Sequence, residues 1–144
     1  MRFEPFKGFS VQPLLTFEGL RHLHEVRLLL ERHAVENSAG RVSQRDLLSL
    51  DADVDAMAEV LDVVPLDVER FNSGDARFHD RLISLAGNPM LTQTYLSLNV
   101  HVQIARLFHR RGAEQSKAAN SEHRQIVEAL RRDDGQAAAE HVAA

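Results

Sequence analysis

The sequence predicts an all-α fold, an antiparallel bundle of about six helices. Three observations carry this. Apolar residues recur at three- and four-residue spacing along almost the whole chain after residue 16. Cap and stop residues punctuate those stripes at short intervals, and short connections make neighbouring helices antiparallel. No run of strand type appears beyond the first fifteen residues.

The elements follow in order. Residues 1–15, MRFEPFKGFSVQPLL, place Phe9, Val11 and Leu14 beside Gly8 and Pro13 and read as extended. Thr16 suits a helix N-cap, with Glu18 in the first turn. Leu20, Leu23, Val26, Leu29/Leu30 and His33 form a predicted buried stripe, and Gly40 ends the element. Ser43 caps a second helix, QRDLLSLDADVDAMAEVLDVV, with Leu47, Leu50, Val54, Met57 and Leu61 inward. Pro65 suits the first turn of a third helix, which runs from about Leu66 to Ala86 and carries Gly74 at a cost of about 1 kcal/mol against Ala. Its stripe is Phe78, Leu82, Ile83 and Leu85/Ala86, and Gly87-Asn88-Pro89 stops it. Asn88 caps a long fourth helix predicted to end near Gly112. Ser116 or Asn120 caps a fifth, Gly135 breaks it, and QAAAEHVAA begins a last one.

Bulk properties narrow the function. The chain has 144 residues, 44% apolar and 26% charged, enough for one domain with a core. There is no cysteine, so disulfides and thiolate metal sites are excluded and a cytoplasmic setting is expected. No apolar run approaches the ~20 residues of a membrane span. A net charge of -4 gives no global basic footprint for nucleic acid.

The chemistry gathers in DARFHDRLISLAGN, residues 75–88. Asp75 and His79 stand one helical turn apart at the edge of the apolar stripe. His123 sits beside the Ile126/Leu130 stripe of the fifth helix, and His141 in the last. One carboxylate and several imidazoles suit zinc and its divalent neighbours, nickel or manganese among them. Ligands on separate helices of a bundle are a common way to build such a site. A lone Asp-x-x-x-His pair is more often a surface or capping pair, so spacing by itself leaves both readings open.

Four blocks in order resemble the FadR-type C-terminal (FCD) effector domain of GntR-family bacterial transcription regulators. These are LHEVRLLLERHAVENSA with Glu25, Arg27 and Glu31; RDLLSL followed by MAEVLD; FNSGDARFHDRLISLAGNPML; and SEHRQIVEALRRDDGQAAA. The resemblance covers residues 17–144. It implies six or seven antiparallel helices around a central cavity, where an Asp and three His hold a divalent metal and a small organic-acid or sugar-acid effector completes the coordination. By position, Asp75, His79 and His123 match three ligands. The family's last His falls about one turn beyond His141, so either His141 moves in, or water substitutes, or that ligand is lost. Arg27 matches a position facing the effector carboxylate. His101, on the inner side of the fourth helix, is a further candidate effector contact. His22, His24, His33 and His109 are left as surface or interface residues.

The same resemblance reads residues 1–15 as the remnant of a winged-helix wing strand and linker, and residues 16–144 as the effector domain. DNA contact would then run only through a winged helix-turn-helix domain absent from this chain. The expected function is ligand sensing and homodimerisation, without catalysis. The alternative is a helical-bundle metalloenzyme acting on a small carboxylate. A purely structural helical domain is the third reading.

Overall fold

The computed structural model describes residues 16–38, 40–98 and 112–142. Six helices account for the described secondary structure: α1 Phe17–Glu36, α2 Gln44–Leu61, α3 Val68–Ser84, α4 Pro89–Ser97, α5 Ala113–Arg131 and α6 Gly135–Val142. The predicted N-terminal extended segment, the second half of the predicted fourth helix and His101 lie outside the described residues.

Local chemistry sets the helix starts. Thr16 accepts from the Gly19 amide, and Ser43 and Asp46 form a reciprocal capping box. Asn88 accepts from Met90 and Leu91 with Pro89 in the first turn. Two expected starts are corrected. Asp67, not the Pro65 region, caps α3, and Pro65 lies in the connection after a cis Val64–Pro65 bond. The α5 helix begins at Ala113, where Gln115 accepts from the Gly112 amide. Ser116 and Asn120 therefore sit inside α5, buried, rather than capping it.

The core lies where α2, α3, α5 and α6 meet. It gathers Leu50, Val54, Met57, Phe71, Phe78, Leu82, Ile126, Val127 and Leu130, with Val35 of α1. A smaller cluster of Ala34, Ile83, Ala86, Leu91 and Tyr95 joins α1, α3 and α4. Two glycines mark close approaches. A Cβ at Gly74 would fall 2.7 Å from Met57 Cγ, so this glycine lets α3 lie close against α2. A Cβ at Gly135 would fall 2.7 Å from the Val35 carbonyl oxygen. Gly135 thus opens α6 against α1. The α5 helix already ends at Arg132–Asp134, where Asp133 takes a positive φ and Asp134 caps the next helix through Ala137.

The predicted α1 stripe holds in part, since Leu23 and Leu30 pack against the smaller cluster, but other parts of it face outward. Val26 and Leu29 are exposed at 40% and 62%, and His33 is exposed too. The buried residues are Glu31, Ala34 and Val35, with Arg27 half-buried on the same side. Inward-facing polar groups need partners, since a buried unpaired charge is costly. Those partners form the site below.

Candidate metal and effector site

The α3 helix supplies Asp75 and His79 on successive turns, both buried, and α5 supplies buried His123. Three ligand atoms meet. His123 Nε2 lies 3.1 Å from Asp75 Oδ1, His79 Nε2 lies 3.5 Å from the same oxygen, and the two Nε2 atoms are 3.3 Å apart. Ligands about 2.1 Å from one ion stand about 3.0 Å apart at octahedral angles and about 3.4 Å apart at tetrahedral ones. The observed triangle has those edges, so one divalent cation fits these residues. Among the described residues this is the group of three His or acidic side chains that meets the requirement.

Around the triangle stands a ring of partners. Glu31, fully buried on α1, places Oε1 3.0 Å from His79 Nδ1. The same oxygen accepts from Arg27 Nε at 3.0 Å and from the Tyr95 hydroxyl of α4 at 2.7 Å. Arg27 Nη2 lies 3.0 Å from Nε2 and 3.4 Å from Nδ1 of His79. On the other side, His123 Nδ1 lies 3.3 Å from Asn120 Oδ1, and Asn120 Nδ2 donates to the Val54 carbonyl at 3.2 Å. Phe78 walls the site, its ring centroid 4.4 Å from that of His123.

Burial works against every charge here, and the neighbours decide the outcome. For His79, burial lowers the imidazole, but Glu31 and then Asp75 outweigh both burial and Arg27 and raise it to about 9. For His123, burial prevails over the Asp75 hydrogen bond and holds the ring below its usual range. For Glu31, burial raises the carboxyl, yet His79 and Arg27 bring it down to about 2. Asp75 is likewise held well below the usual carboxylate range, His79 and His123 overcoming its burial. These neighbours thus favour an ionised pair of carboxylates around one imidazolium, one neutral imidazole and one guanidinium.

Asp75, His79 and His123 converge, and Arg27 joins them. His141 stands in the last turn of α6, partly exposed and outside the group of three. His101 is not among the described residues. His22, His24 and His33 are exposed, as expected of surface residues. Sequence reasoning missed Glu31, Tyr95 and Asn120 as parts of the site. The local signals were Glu31 one turn after Arg27 on α1 and Asn120 one turn before His123 on α5.

Fold and site together define an all-helical domain with an ionised, ligand-competent centre inside an apolar bundle. The FCD domain family model matches residues 22–144, and the chain belongs to that family, the effector-domain family of GntR-type regulators that its motifs resemble. It is 25% identical over 139 residues to the uncharacterized HTH-type transcriptional regulator YdhC of Bacillus subtilis (strain 168), covering 95% of this chain and 60% of that protein. Among solved structures, E. coli McbR/YncC superposes with a TM-score of 0.77 at 14% identity, covering 93% of this chain and 63% of that one. A second, titled for Lar controlling expression of the Listeria monocytogenes agr system and mediating virulence, gives 0.76 at 20% identity, covering 90% and 60%. These two establish the likeness of fold. This chain spans about three fifths of the length of each of these relatives. No helix among the described residues is long and apolar enough to cross a membrane.

Proposed function

We propose that this chain is the ligand-sensing and dimerising part of a GntR-type transcription regulator. In this reading Asp75, His79 and His123 hold one divalent cation, zinc foremost, with nickel or manganese as alternatives. A small organic-acid or sugar-acid carboxylate binds beside it. The observation that carries the reading is the buried triangle of ligand atoms with edges of 3.1, 3.3 and 3.5 Å.

When bound, the ion supplies positive charge and open coordination positions for a carboxylate oxygen. Everything else comes from the chain. Glu31 fixes Arg27 through Nε, which leaves Nη2 beside the triangle. A guanidinium edge in that place suits a carboxylate. Phe78 and Tyr95, both buried, keep water away and so strengthen each charged contact. The arrangement binds; no catalytic step is assigned to it. Regulation follows from binding alone, because an effector that favours one of two conformations shifts their populations. A winged helix-turn-helix domain outside this sequence would report the shift to DNA, and His141 is the reserve fourth ligand.

The reading is tested by a thermal-shift screen of small organic and sugar acids on zinc-loaded and chelator-treated protein. Stabilisation by an acid only in the zinc-loaded form supports it, since a ligand of the native state raises the melting temperature by mass action. Equal shifts in both forms would remove the metal from the effector site.

A further inference from the structure

The two imidazoles of the triangle are held from behind by different groups, and this inference rests on the metal-site reading just given. Behind His79 stands Glu31, whose Oε1 lies 3.0 Å from Nδ1. An ionised carboxylate only accepts hydrogen bonds, so Nδ1 of His79 must carry the proton. Behind His123 stands Asn120. Its amide nitrogen donates to the Val54 carbonyl, which turns its oxygen toward His123 Nδ1 at 3.3 Å. That oxygen also only accepts, so Nδ1 of His123 is again the donor. Both rings are thereby committed to offering Nε2 to the face that Asp75 shares.

We infer that Glu31 and Asn120 are positioning residues for the metal site: by fixing both imidazoles as Nδ1–H tautomers, they aim two Nε2 lone pairs and the Asp75 carboxylate at one point. Outer partners of this kind orient a ligating ring and raise its basicity. The two are unequal. Glu31 brings a negative charge and makes His79 the stronger donor; Asn120 brings only a dipole. Tyr95 belongs to the same device, because its hydroxyl donates to the Glu31 oxygen that faces His79 and so locks the carboxylate in place. Both are buried; Glu31 ties α1 to the α3 ligand His79, and Asn120 ties α5 to α2 through the Val54 carbonyl.

Two measurements on Glu31→Gln, Asn120→Ala and Asn120→Asp proteins test this. The first is zinc affinity by competition with a chromophoric chelator. Glu31→Gln and Asn120→Ala are each expected to weaken zinc binding by roughly 10- to 100-fold, and Asn120→Asp, which restores an acceptor, to recover it. The second is the imidazole nitrogen–proton NMR spectrum of chelator-treated protein, followed upward in pH until each ring carries a single nitrogen-bound proton. The unsubstituted protein should show Nδ1–H at both rings, and Asn120→Ala should show a tautomer mixture at His123. A packing defect alone would not change the tautomer. Zinc affinities within about twofold of the unsubstituted protein, or Nδ1–H populations unchanged in Asn120→Ala, would overturn the positioning role while leaving the metal site standing. Absence of zinc binding by the unsubstituted protein would overturn both.

Discussion

Nε2 of His79 and Nε2 of His123 lie 3.3 Å apart although 44 residues separate them in the chain. Two imidazole nitrogens that close need something between them. In the metal-free protein it is charge difference: His79 is protonated, His123 is neutral, and Asp75 Oδ1 contacts both. A divalent ion would take over that role and displace the His79 proton.

Stability of the metal-free protein should therefore depend on alkaline pH. His79 has a pKa of about 9 folded against 6.5 as its ordinary value. The folded state binds more protons between those limits, so the contribution is fully present below pH 6.5 and lost as pH rises through about 9. Chelator-treated protein is expected to melt progressively lower across that window. Zinc-loaded protein should lose less, because the ion replaces the proton, and zinc affinity should rise with pH over the same range. Parallel melting curves with and without zinc from pH 6.5 to 9 would contradict this.

Arg27→Ala should weaken effector binding by roughly 1.5–3 kcal/mol, the usual contribution of a hydrogen bond to a charged group. Metal content should not fall. The guanidinium lies 3.0 Å from His79 Nε2, so removing it takes a competing cation away from the ligand. Titration calorimetry with an acid found in the thermal-shift screen gives the first number and elemental analysis the second. An Arg27→Ala protein that binds the acid as tightly as the unsubstituted one would remove Arg27 from the effector site.

Exposed apolar side chains on adjoining helices mark the expected dimer face. Val26 and Leu29 of α1 and Met90 and Leu96 of α4 stand 40–70% exposed, and α1 packs against α4. Replacing both Leu29 and Leu96 with Glu should convert a dimer to a folded monomer in sedimentation experiments, because charges do not bury in a closed two-fold interface. A dimer of unchanged strength would place the interface elsewhere.

Gly135→Ala should destabilise the fold by about 1–3 kcal/mol, in the range of overpacking. The added Cβ would meet backbone oxygen of Val35 and Glu36 at 2.7 and 3.0 Å, and backbone does not yield as a side chain does. Denaturant unfolding gives the number. A neutral or stabilising result would mean that α6 docks on α1 less closely than described.

Much of this architecture is legible in the sequence. Local caps at Thr16, Ser43 and Asn88 and the stripes of α2 and α3 depend on neighbours a few residues apart, and they stand as expected. The α1 helix shows where such reading ends. Leu23 and Leu30 of its stripe pack inward, but Val26 and Leu29 face outward while Arg27 and Glu31 turn in. Periodicity finds apolar faces and is blind to a polar face buried for its chemistry. Asp75 and His79 were visible because they share one helix. The parts held by Glu31, Tyr95 and Asn120 were not, because each bond joins residues whose proximity only the assembled bundle creates, apart from the Asn120–His123 pair within α5. Even there, Asn120 as a helix cap was the natural local reading, and its burial inside α5 overrode it.

The central claim is that one divalent ion sits on Asp75, His79 and His123. Elemental analysis of protein purified without metal-affinity chromatography and dialysed against trace zinc tests it most directly, beside a His79→Ala protein treated identically. The expected result is about one zinc per chain in the first and essentially none in the second, with zinc raising the melting temperature of the first protein and leaving that of the second unchanged. Equal zinc content in the two proteins, or none in either after dialysis against zinc, nickel and manganese in turn, would contradict the site.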